Sequence, residues 1–122
     1  MARIILLAGV LSGLLAAAAP GRAVAASFDG NWSVLIITES GNCDVAYRYE
    51  VKVGGGRVTY IGDAAINLSG TVSSGGAVKV GISKGSQNAN ASGRLSAKAG
   101  GGSWRGQSSS GACKGRWEAE RR

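Results

Sequence analysis

Hydrophobic and polar residues alternate along most of this chain, and the longest regular run is Val45-Ala-Tyr-Arg-Tyr-Glu-Val-Lys-Val53. Val45, Tyr47, Tyr49, Val51 and Val53 fall on one face, and Ala46, Arg48, Glu50 and Lys52 on the other. A period of two held over nine residues is that of a strand with one dry and one wet face. The same alternation predicts a first strand over Trp32–Glu39, with Trp32, Val34 and Ile36 inward. It also leaves Leu35 and Ile37 on the outer face of that strand, where other strands carry polar groups.

Further strands follow at Arg57–Ile61 (Val58 and Tyr60 inward), Ala65–Val72 (Ile66, Leu68, Gly70 and Val72) and Ala77–Ser83 (Val78, Val80 and Ile82). A sixth run sets Ala89, Ala91, Gly93 and Leu95 against Asn88, Asn90, Ser92 and Arg94. The seventh is Ser103–Ser108, and the eighth is Ala112–Glu120 with Cys113, Gly115, Trp117 and Ala119 inward. Turn chemistry separates them: Ser40-Gly41-Asn42, Gly54-Gly55-Gly56, Ser73 to Gly76, Lys84-Gly85-Ser86, Gly100-Gly101-Gly102 and Ser109 to Gly111. No stretch from Ala26 onward has a helical period, and no proline interrupts it. The expected fold is all-β, an antiparallel up-and-down meander of about eight short strands closed into a small barrel.

The first 25 residues are set apart from this pattern. A basic start at Arg3, an apolar run over 4–19, a break at Pro20-Gly21 and the small-x-small triplet Ala23-Val24-Ala25 are the parts of a secretory signal peptide. The run is short for a membrane span of roughly 20 residues, so no stable membrane anchor is expected. Cleavage after Ala25 leaves residues 26–122, 97 in all, enough for one β-barrel domain in the periplasm or outside the cell. Export places Cys43 and Cys113 where disulfides persist. In a closed meander the end of strand one lies beside the start of strand eight, so both cysteines come to one rim. A bond there would seam the barrel across its last ladder, and closing so long a loop stabilises a fold by roughly 4 kcal/mol.

Composition removes most catalytic chemistry. With no histidine there is neither a Ser-His-Asp arrangement nor an imidazole metal ligand. The acidic groups Asp29, Glu39, Asp44, Glu50, Asp63, Glu118 and Glu120 read as turn and outer-face positions. The glycine-rich turns match neither the dinucleotide nor the P-loop pattern. No catalytic residue, metal or cofactor is indicated. Residues 26–122 carry 12 basic against 7 acidic groups, spread at intervals rather than clustered, which argues against nucleic acid.

The tryptophans share a setting: Gly30-Asn31-Trp32, Gly102-Ser103-Trp104 and Gly115-Arg116-Trp117. Trp104 and Trp117, flanked by small residues, either floor a ligand pocket together with Tyr47 and Tyr49 or interlock bulky against small to fill a narrow barrel. Both readings stay open. Leu35 and Ile37 define a second candidate surface, a contact patch for a homodimer in which strand one meets its copy, unless Phe28 or a loop folds over them.

The Gly-x-Trp entering strand one, with Arg121 and Arg122 after the last strand, resembles the signature of the calycins, the lipocalin and avidin barrels. That resemblance implies a tryptophan closing one barrel end with a late arginine packed over it. From Phe28 to Arg122 the chain is also similar to a group of small exported bacterial proteins, some labelled with haem utilisation or adhesion. Haem would require Tyr47, Tyr49 or Tyr60 as iron ligand, since Met1 leaves with the signal, and alternation places those tyrosines in the core. The expected function is an exported, non-enzymatic binding module whose partner is a small apolar ligand or a protein. The alternative is a periplasmic or secreted inhibitor or adhesin-like protein acting through rim loops or a sheet face.

Overall fold

The structure, a computed structural model, describes residues 27–44 and 46–122. The signal-peptide assignment and Val45 lie outside the described residues. Eight strands form one closed antiparallel barrel in sequence order: β1 (Gly30–Ser40), β2 (Ala46–Gly54), β3 (Arg57–Ile61), β4 (Asn67–Val72), β5 (Ala77–Lys84), β6 (Gln87–Leu95), β7 (Ala99–Ser108) and β8 (Gly111–Arg121). β8 pairs with β1 from Trp32↔Arg121 to Ser40↔Lys114, so every strand has two neighbours and no edge is left open. A bulge at Glu39, between Thr38 and Ser40, interrupts this last ladder. It sets the Glu39 carboxylate 2.9 Å from the Arg116 guanidinium.

The inward residues are those that the alternation selects. Trp32, Ile36, Val51, Val53, Val58, Val72, Val78, Leu95, Trp104, Cys113, Trp117 and Ala119 are buried in one cluster. Connections alternate between two rims. The lower rim carries residues 27–29, Arg122 and the turns 55–56, 73–76 and 96–98; the upper rim carries 41–44, 62–66, 85–86 and 109–110. Gly55 and Gly56 form a two-residue hairpin turn in which both backbones take positive φ, 58° and 80°, a conformation costly for any residue with a Cβ.

The disulfide joins Cys43 in the β1–β2 loop to Cys113 in β8, with Cα atoms 6.1 Å apart, at the upper end of the β8–β1 closure. Strand positions differ from expectation at the start of β4, where Ala65 and Ile66 lie in the preceding connection rather than in the strand, and at one glycine run. Gly100, Gly101 and Gly102 are not a turn but lie within β7, and the chain reverses over 96–98 instead. The reason is steric. A Cβ on Gly102 would sit 2.8 Å from Trp117 Nε1, and one on Gly100 would run into Leu95. Glycine is used here as floor space for a neighbour's side chain rather than as a hinge.

Candidate functional site

The two barrel ends are built differently, and that difference locates the site. At the lower end Phe28 is buried against the Gly76 turn, and its carbonyl accepts a 2.9 Å hydrogen bond from Trp32 Nε1. Trp32 is the most buried large side chain, 1 % exposed. The Arg121 guanidinium lies 5.2 Å from the Trp32 ring centroid. It also donates to the carbonyls of Asp29 (2.6 Å), Ala97 (2.8 Å) and Ser27 (3.2 Å). One side chain from the last strand thus ties the incoming segment and the 96–98 turn over the indole. Asp29 Oδ1 accepts from the Gly55 amide at 3.1 Å and holds a third connection down. This end is sealed.

Trp104 and Trp117 use the small residues beside them as paving. The Trp117 indole crosses Gly102 and Gly93 and donates to the Ser92 carbonyl at 3.0 Å. Trp104 runs the opposite way, over Gly115, to the Ile37 carbonyl at 3.1 Å. Both rings therefore lie along the wall with their N–H groups satisfied, as a buried indole requires. Flattened in this way, they leave a wholly apolar lumen of about 60 Å³, with Trp32, Tyr49, Ile82 and Trp117 among its lining residues.

The upper end opens. A cavity of about 300 Å³ lies inside the upper rim, lined by Tyr47, Tyr49, Tyr60, Ile66, Ile82 and Trp104 together with polar groups that include Asp44, Lys84 and Gln107. Tyr49 and Ile82 line both spaces and stand between the mouth and the lumen. Tyr47 and Tyr49 pack edge to face with centroids 5.1 Å apart, and Tyr49 and Tyr60 likewise at 6.0 Å. Of the predicted pocket residues, Tyr47, Tyr49 and Trp104 meet at the mouth, whereas Trp117 lines the lumen below.

Expectation placed the three tyrosines in the core, and this needs correction. They are inward but only half-buried, because each lies toward the upper end of its strand, where the barrel opens. Ile66 and Lys84 were not expected at a site, and Tyr60 was weighed only as an iron ligand. Alternation shows which face a residue occupies but not its height along the barrel. Burial, above all, holds the Tyr49 hydroxyl well above its ordinary value, with the adjacent Tyr47 adding to it and Tyr60 and Asp44 contributing less. A phenol kept protonated serves as a neutral hydrogen-bond donor; it is a poor phenolate ligand for iron.

Leu35 and Ile37 face outward and are each partly covered. Their cross-strand neighbours are Arg48 and Glu118 for Leu35, and Ala46 and Arg116 for Ile37. Phe28 does not fold over them, because it is spent on the lower plug. Among the described residues no group of three or more Cys, Asp or Glu side chains is placed to hold a metal ion.

Comparisons of this chain with known protein families, curated proteins and solved structures find no match.

Proposed function

We propose that the chain is an exported, non-enzymatic binding module that takes a small ligand with an apolar end through the upper mouth. The observation that carries this reading is the asymmetry of the barrel ends, one plugged by Phe28, Trp32 and Arg121 and the other open onto a tyrosine-lined cavity that shares Tyr49 and Ile82 with an apolar lumen. The volumes set the ligand's shape. A lumen of about 60 Å³ takes no more than a slender aliphatic tip, while the mouth, about 300 Å³, is at the small end of ligand pockets. Polar groups converge only at the mouth, so the ligand's polar part stays there within reach of tyrosine hydroxyls, Asp44 and Lys84.

The Arg121–Trp32 stack supports the calycin-like reading of the lower end, and the disulfide is compatible with export into an oxidising compartment. The absence of histidine from the sequence supports a non-catalytic role. Titration with medium-chain fatty acids and alcohols, read by tryptophan fluorescence, tests the proposal. Saturable quenching that Tyr49→Ala and Ile82→Ala weaken, while Leu35→Ser leaves it unchanged, is the expected result. No saturable change with any of these probes, or equal sensitivity to Leu35→Ser, overturns it.

A further inference from the structure

The outer wall of the barrel carries its charges unequally. Between Asp63 and Glu118 the sequence has no acidic residue and seven basic ones: Lys79, Lys84, Arg94, Lys98, Arg105, Lys114 and Arg116. In the linear sequence these cations look dispersed. Closure of the barrel gathers several of them on one wall, the outer face of β5 to β8. Register sets Gly81, Asn90, Arg105 and Lys114 side by side in one row. Lys79, Ser92, Ser103 and Arg116 form the row beneath it. Arg116 is neutralised by Glu39 and Glu118. Among the described residues no carboxylate forms a salt bridge with Lys79, Arg105 or Lys114, and all three are exposed.

The wall is also indented. Two shallow depressions, about 390 and 550 Å³, adjoin each other and share Asn90 and Arg105. Gly81 makes room for the first, since nothing but the Asn90 amide oxygen, at 3.7 Å, lies near where its Cβ would be. Asn88, Asn90 and Gln107 supply amides that donate and accept, and Ser92 and Ser103 supply hydroxyls. From Lys79 to Lys114 the face crosses three strand spacings, about 14 Å.

We propose that this wall binds an acidic polysaccharide, with Lys79, Arg105 and Lys114 meeting its carboxylate or sulfate groups and the Asn/Gln row meeting its hydroxyls. Charge complementarity selects a polyanion, and the remaining chemistry selects among polyanions. Single-stranded nucleic acid binds through exposed aromatic stacking platforms, and the one aromatic at this wall, Trp104, is turned inward and buried. An anionic membrane surface favours apolar side chains that insert beside the cations. Ile61, the exposed large hydrophobic among the described residues, lies on β3, away from this wall. Paired amides and hydroxyls between cations fit a chain of acidic sugars.

The test is retention of the purified protein on immobilised polygalacturonate at low salt, with elution by a salt gradient. Neutralising the wall with Arg105→Gln and Lys114→Gln is expected to weaken binding about tenfold. Removing the same charge from the opposite wall with Lys52→Gln and Arg57→Gln, both exposed, is expected to change it by less than about twofold. Asn90→Ala removes no charge and is expected to weaken binding as well. No retention at low salt, equal losses from the two charge pairs, or indifference to Asn90→Ala would each overturn the proposal. So would equally tight, Arg105-dependent binding of a thymidine oligonucleotide or of phosphatidylglycerol vesicles.

Discussion

Replacing Gly102 by alanine adds a single methyl group at the point where the barrel has least room for it. Gly102 faces inward under Trp117, and a Cβ there would lie 2.7 Å from Gly93 Cα and 2.8 Å from Trp117 Nε1, with the Ser92 carbonyl nearer still. Two of these neighbours are paired backbone, so the β6–β7 ladder itself must shift and carry the indole off the wall with it. That movement breaks the 3.0 Å bond from Trp117 Nε1 to the Ser92 carbonyl. Overpacking a tight core costs about 1–3 kcal/mol, and a buried indole N–H without an acceptor about 1–3 kcal/mol more. The lower entropy of the unfolded chain returns about 0.4–1 kcal/mol. The net expectation is a loss of about 3 kcal/mol at the centre of these ranges, a large part of the roughly 5–15 kcal/mol typical of a domain. Guanidinium unfolding followed by tryptophan fluorescence measures it, with the slope checked for two-state behaviour. Gly81→Ala is the internal comparison, because its Cβ meets nothing closer than 3.7 Å. That variant is expected to match the parent or gain up to about 1 kcal/mol. Gly102→Ala as stable as Gly81→Ala would refute the account of the glycines as paving for the indoles.

Two further predictions concern the seam and the mouth. Replacing Cys43 and Cys113 together by serine is expected to cost roughly 4 kcal/mol in the same unfolding assay, and the unreduced parent should weigh one hydrogen less per cysteine than its sequence. At alkaline pH, Tyr49 stays protonated in the folded state after an unfolded tyrosine has ionised at about 10. The unfolded state then binds fewer protons, so this contribution is fully present below pH ~10 and is lost as pH rises above it. Tyr49→Phe is expected to make the fall in stability above that pH shallower, and an unchanged slope would contradict the burial of this hydroxyl.

The alternation of apolar and polar residues is local, and by itself it determined the strand count, the inward set from Trp32 to Ala119 and the absence of helix among the described residues. Chain order then brought Cys43 and Cys113 to one rim, because in a closed meander the last strand must return beside the first. What depends on height along the barrel was not legible. Tyr47, Tyr49 and Tyr60 have the same inward parity as Val51, Val53 and Val58, and only the staggered pairing of neighbouring strands puts the first three at an open mouth and the others in the packed interior. The role of Gly100–Gly102 was equally hidden. A glycine run reads as a turn until the paired strand shows that Trp117 needs the space above it. Likewise the acid-free stretch after Asp63 is plain in the sequence, but its cations look dispersed there. Lys79, Arg105 and Lys114 become neighbours only because strand pairing converts separations along the chain into spacings across a sheet, which is a non-local property that no single segment carries.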